Sequence, residues 1–297
     1  MSPAAETLAL RAADGYALTA LRYPAQGAAR AHLVVAGATG VPQRFYRRFA
    51  EHAAAQGIHV LTLDYRGIGL SRPSSLRGFE MDYLDWARLD LPAVVDAVPE
   101  DGLPLLMVGH SYGGHAFGLL PSHARVARFA TFATGAGWHG WMPPLERLRV
   151  LAMWRVLGPV LTRWKGYLPG SLLGLGEDLP LTVYRQWRRW CTFPRYFFDD
   201  PEMEGERLAE RFAAVRTPIL ALNAIDDHWA LPASRDAFMA AYRNASCRCI
   251  DLQPKSLGVE SIGHMGYFRP AARPLWDDVL AWLQGSAGPG AAAPPAA

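Results

Sequence analysis

The 297-residue chain contains only two lysines, Lys165 and Lys255, only three cysteines, and no long uninterrupted apolar run. Each shortage excludes something. The formal charge of +3 rests almost wholly on arginines, and these are dispersed rather than gathered in a basic block, so nucleic-acid binding has little support. No stretch reaches the roughly 18 consecutive apolar residues of a membrane span. The opening MSPAAETLALRAADGYALTA lacks a basic segment leading into an apolar core, so no secretory leader is read and a cytoplasmic location is expected. Cys191, Cys247 and Cys249 are odd in number and lack paired zinc-ligand spacing. They are expected to pack as small apolar side chains, with Cys247 and Cys249 sharing one face of a strand. Asn244-Ala245-Ser246 matches a glycosylation sequon, which without a leader is read as coincidence.

With 51% hydrophobic and 19% charged residues, the chain can bury a large core without disulfides. Strand-like runs appear at TLALRAAD, ALTALRYP and AHLVVAGAT, punctuated by Asp14-Gly15 and Pro24. QRFYRRFAEHAAAQG then places Phe45, Tyr46, Phe49 and Ala53 at helical spacing and stops at Gly57. HVLTLDYRG, LPLLMVGHS and RFATFATG follow as strands, separated by helices around DWARLDLPAVVDAV and HAFGLL. This alternation predicts an α/β fold with a mostly parallel sheet of about eight strands, covered by helices on both faces. It breaks between about Gly135 and Arg216, a segment without a clear strand that holds six of the ten tryptophans. Residues 136–213 are read as a helical insertion, with residues 1–135 and 214–284 forming the core. TPILALNAID, LPASRDAFMAAYR, CRCIDLQP and RPLWDDVLAWL resume the alternation, and residues 285–297 are expected to be a disordered tail.

The chemistry concentrates in LPLLMVGHSYGGHAFGLL. An apolar run ending in Gly109-His110-Ser111-Tyr112-Gly113 and passing into a helix-compatible segment has the form of a nucleophile elbow. A serine hydroxyl attacks at neutral pH only if a base takes its proton. Among nine histidines, His264 in the glycine-flanked SIGHMGYF is the best base, because it follows the last predicted strand. The acid that orients it belongs at the end of ILALNAI, where Asp226 and Asp227 are adjacent and only one can face the imidazole. Asp227 is preferred, with Asp226 bracing the loop. The oxyanion requires two donors: the Tyr112 N–H, and one from AGATG, for which the Ala38 N–H is first choice and Thr39 next. His110 and His115 are expected to pack, and neither metal nor organic cofactor is required.

These pieces together resemble an α/β-hydrolase over nearly all of residues 5–284. AGATG stands for the oxyanion loop, DYRGIGLS follows the fourth strand, and GHSYGG, NAIDD and GHMGYF carry the rest. GVPQRFYRRFAEHAAAQG, DYRGIGLSRP, LDWARLDLP and VYRQWRRW are similar to a bacterial group of α/β-hydrolases near the serine-aminopeptidase-like (S33) and esterase branches. The resemblance implies Ser111 as nucleophile, His264 as base and Asp227 as acid. It departs where AGATG replaces the His-Gly of many relatives.

The expected activity is therefore acyl-enzyme hydrolysis of a small, apolar carboxylic ester, a small molecule being the only partner inferred. The tryptophan-rich insertion is expected to cap the site. In TVYRQWRRWC, Tyr184, Trp187 and Cys191 share one helical face, while Arg185, Arg188 and Arg189 are read as solvated rather than substrate-gripping. An aminopeptidase-like amide hydrolase, a thioesterase or an acyltransferase would use the same three residues, and a binding protein could keep the fold without catalysis.

Overall fold

Eight runs of six or seven residues become strands in the computed structural model, which describes residues 5–286. They are β1 (Glu6–Arg11), β2 (Ala17–Tyr23), β3 (Ala31–Ala36), β4 (Ile58–Asp64), β5 (Leu105–His110), β6 (Val126–Phe132), β7 (Ile219–Ala224) and β8 (Cys247–Leu252). The order across the single sheet is β1-β2-β4-β3-β5-β6-β7-β8. β2 pairs antiparallel with β1 and β4, and every other pairing is parallel. The central strands β3, β5 and β7 are buried at all six positions, as continuous apolar runs covered on both faces should be.

The helices are α1 (Arg47–Ala55), α2 (Leu91–Asp96), α3 (Tyr112–Phe117), α4 (Pro144–Ala152), α5 (Gly158–Lys165), α6 (Gly170–Leu173), α7 (Leu181–Trp190), α8 (Leu208–Ala214), α9 (Pro232–Met239) and α10 (Arg273–Leu283). Phe49 of α1 and Trp276 of α10 anchor the core on one face of the sheet. Val94 of α2, Phe117 of α3 and Phe238 of α9 anchor it on the other. The expected α/β-hydrolase architecture is therefore present. Between β6 and β7 the described residues form α4 to α8 and shorter turns, with one isolated bridge joining Leu168 to Leu179.

Two local details differ from the sequence expectation. The helix around DWARLDLP opens as a π-wound turn, Trp86–Asp90, because Pro92 has no N–H to continue ordinary winding behind it. The same turn buries Asp90 against Arg66, whose Nε donates at 2.7 Å and whose backbone N–H donates at 2.8 Å. The cysteines also divide. Cys191 is buried, and burial pushes its thiol pKa up, whereas Cys249 lies exposed because β8 is the edge of the sheet. Gly285 and Ser286 fold back on the end of α10, and the remainder of the expected tail lies outside the described residues. Among the described residues no helix is long and apolar enough to cross a membrane.

Candidate active site

The strand order reverses direction between β3 and β5, so the loops leaving their carboxyl ends diverge and open a crevice there. The loop after β3 is AGATG, and the turn after β5 carries Ser111. Ser111 sits at φ 52° and ψ −108°, a conformation that a side-chain-bearing residue adopts only at a cost. Two close approaches hold it there. A Cβ on Gly109 would lie 2.6 Å from the Gly113 carbonyl carbon, and one on Gly113 would overlap the Ala36 carbonyl oxygen on β3. The glycines flanking Ser111 are thus required by the passage of α3 across the ends of β3 and β5. The Ser111 N–H donates to the Phe132 carbonyl at 2.9 Å, and Thr134 Oγ1 donates to the Ser111 carbonyl at 3.0 Å.

His264 and Asp227 reach this turn from the loops after β8 and β7, which leave the same end of the sheet. Ser111 Oγ lies 3.0 Å from His264 Nε2, and His264 Nδ1 lies 3.0 Å from both carboxylate oxygens of Asp227. Asp227 is fully buried at the end of β7. Its Oδ1 accepts the N–H groups of Trp229 and Ala230 at 3.1 and 3.2 Å, and its Oδ2 accepts the Tyr267 hydroxyl at 3.3 Å. These donors offset the cost of burying a carboxylate. Asp226 faces elsewhere: its Oδ2 accepts the Ser261 hydroxyl at 2.7 Å and the N–H groups of Ile262 and Gly263 at 2.9 and 3.2 Å. It braces the loop that presents His264.

The Ala38 N–H, first choice for the second donor, is already directed at the Tyr46 hydroxyl at 2.8 Å. Helical spacing had marked Tyr46 only as part of an apolar face, which hid its polar end. The Thr39 N–H makes no hydrogen bond among the described residues, while the Thr39 side chain pairs with the Tyr83 hydroxyl.

Tyr46 belongs to a chain of hydrogen bonds that the sequence did not reveal. His110 Nε2 lies 2.9 Å from the His264 carbonyl oxygen, and its Nδ1 lies 2.9 Å from the Tyr46 hydroxyl. A carbonyl only accepts, so Nε2 carries the proton and Nδ1 accepts from Tyr46, whose oxygen in turn accepts the Ala38 N–H. The loops after β3 and β8 are tied together through a neutral imidazole. Burial, and secondarily the nearby His264, lowers the His110 pKa to about 3; burial lowers that of His115 to about 4.

Both histidines are neutral when folded and take up protons when unfolded below about pH 6.5. Their contribution to stability is complete above that pH and is lost as pH falls towards 4 for His115 and 3 for His110. Each should cost about 1.4 kcal/mol per pH unit across its window. Urea denaturation between pH 7 and 4.5 should show this slope, and His115→Gln should reduce it. A slope unchanged in that variant would mean that His115 does not titrate with unfolding.

A cavity of about 250 Å³ opens above Ser111 and His264. Ala38, Thr39, Val41 and Met265 supply its core side; Gly174, Leu175, Gly176 and Trp187 come from the segment between β6 and β7, and Trp229 completes it. His264 is the sole ionisable side chain on this wall. Arg189 is instead paired with Asp200 through its Nε at 2.8 Å, and Arg188 donates to the Trp154 carbonyl at 3.4 Å, so neither faces the cavity. A larger cavity, about 540 Å³, lies around Phe198 and Arg207, away from the Ser111 turn. The mouth of the smaller one is fastened by Glu177. Its N–H donates to the Gly40 carbonyl at 2.7 Å, and its carboxylate accepts the Gly69 N–H at 2.8 Å and meets Arg44 at 2.8 Å.

A family model described as serine aminopeptidase, S33, matches residues 27–253. No curated protein matches significantly. Among solved structures, a soluble variant of monoglyceride lipase from Saccharomyces cerevisiae is 15% identical with a TM-score of 0.69, the alignment covering 95% of each chain. An esterase from Exiguobacterium antarcticum is 14% identical with a TM-score of 0.59, over 94% of this chain and all of the other. The thioesterase domain from the curacin biosynthetic pathway is 12% identical with a TM-score of 0.58, over 95% of this chain and 99% of the other. At such identities the structural likeness speaks for the fold, whereas the family match spans most of the sequence. The chain belongs to the serine aminopeptidase S33 family of α/β-hydrolases.

Proposed function

We propose that this hydrolase cleaves a small, neutral, apolar carboxylic ester through an acyl-enzyme on Ser111. His264 takes the Ser111 proton as Oγ attacks the carbonyl carbon, and Asp227 holds the imidazole and stabilises its protonated form. The Tyr112 N–H and, across the crevice, the Thr39 N–H receive the oxyanion. The tetrahedral adduct collapses as His264 gives its proton to the departing alcohol. Water, activated by the same imidazole, then releases the acid and restores Ser111. Residues 136–213 act as the cap that shapes the substrate.

The observation that carries this reading is the unbroken Asp227–His264–Ser111 contact beneath a cavity whose walls hold no carboxylate, lysine or arginine. The uncharged wall also favours esters over the aminopeptidase alternative. A free peptide N-terminus is cationic and loses hydration on entering such a cavity, with no carboxylate on the wall to receive it. A panel of p-nitrophenyl esters set against aminoacyl-naphthylamides tests this. Short and medium-chain esters should exceed the amides in kcat/KM by at least about a hundredfold. Faster cleavage of the amides with a free N-terminus would replace the esterase reading by the aminopeptidase one. A folded protein that is inert to a fluorophosphonate would favour a binding role instead.

A further inference from the structure

The segment between β6 and β7 presents an apolar surface that nothing in the described structure covers. α4, a π-wound turn (Met153–Leu157) and α5 run without interruption from Pro144 to Lys165. One side of this long helix is buried through Val150, Met153, Trp154 and Thr162. Leu145, Leu148, Val156, Val160 and Trp164 point outward, each 57–66% exposed. Steps of three or four residues, or twice that, place the five helical members along one stripe. In a regular α-helix a repeated step of four drifts around the axis, and the wider π turn midway compensates for that drift.

The polar residues of this helix are strongly one-sided in sign. Residues 144–165 contain Arg147, Arg149, Arg155, Arg163 and Lys165 against a single acid, Glu146, which lies 3.6 Å from Arg149. Arg155 and Arg163 have no carboxylate within ion-pair reach among the described residues. Lys165 Nζ lies 4.2 Å from the centre of the exposed Trp164 ring. An apolar stripe flanked by cations, with tryptophan and lysine at its end, is the composition of a helix lying in the boundary between lipid headgroups and acyl chains.

We propose that this face docks on an anionic lipid surface. It does not rest on the hydrolytic reading. A second copy of the chain is the poorer occupant, because two such faces meeting about a twofold axis oppose cations to cations. Residues 287–297 contain neither an acid nor a large apolar side chain and offer no complement.

Flotation of the full-length protein with phosphatidylcholine vesicles, with and without phosphatidylglycerol, tests the proposal. The protein should float with the anionic vesicles, remain behind with the neutral ones, and be released as salt is raised. Leu148→Glu/Val160→Glu and Arg155→Glu/Arg163→Glu should each weaken binding at least about tenfold. Both pairs are exposed, so unchanged melting temperatures certify folding. Failure to float with anionic vesicles, or floating by both folded variants as well as the parent, overturns the proposal. A concentration-dependent dimer that the Leu148→Glu/Val160→Glu variant abolishes would assign the face to a second copy instead.

Discussion

Replacing Ser111 by alanine is expected to lower ester turnover on the order of a million-fold, leaving only the small rate that binding and backbone donors sustain. The substitution removes Oγ and its 3.0 Å contact with His264 and nothing else. The backbone at φ 52° is as awkward for alanine as for serine, so the melting temperature should not change appreciably. Labelling by a fluorophosphonate, read by intact-protein mass, should vanish with activity. Persistent labelling of the folded variant would move the nucleophile elsewhere.

The second large effect separates two neighbouring carboxylates. Asp227→Asn should reduce kcat by about ten-thousandfold, because an amide nitrogen facing His264 Nδ1 favours the wrong tautomer and leaves the imidazolium without its counter-charge. Asp226→Asn should cost less than about tenfold in kcat, since the amide oxygen can still accept from the Ile262 and Gly263 N–H groups that shape the loop. Comparable losses in both variants, measured on folded protein with saturating ester, would contradict this division of labour. A large loss confined to Asp226→Asn would reverse the assignment.

The parts of the site that could be read from sequence are those whose constraint is local. The elbow demands glycines two residues either side of Ser111, and these can be counted. The central strands were legible as short apolar runs bounded by turn residues, and the outer β1, β2 and β8 as alternating segments between turns. Divergence of successive side chains says only that one of Asp226 and Asp227 can face His264; the preference for Asp227 rests on its spacing, three residues after Ala224. What remained hidden depends on partners far apart in sequence. Tyr46 meets His110 across 64 positions, and His110 meets the His264 carbonyl across 154. No local pattern marks such pairs, and for Tyr46 the pattern misled, since an aromatic at helical spacing reads as core whatever its hydroxyl does. Tyr267 was within view, three residues after His264, but its bond to Asp227 follows only from the turn that brings it back beneath β7.

Glu177 joins the segment ahead of α7 to loops that follow two different core strands, β3 through Gly40 and β4 through Gly69, with Arg44 as a third attachment. The opening above Ser111 is thus less a hinged door than an aperture stitched around its rim. Widening it would strain the same Gly40 loop that borders Thr39, so that under the proposed mechanism the size of the opening and the placing of the oxyanion donor cannot be adjusted independently.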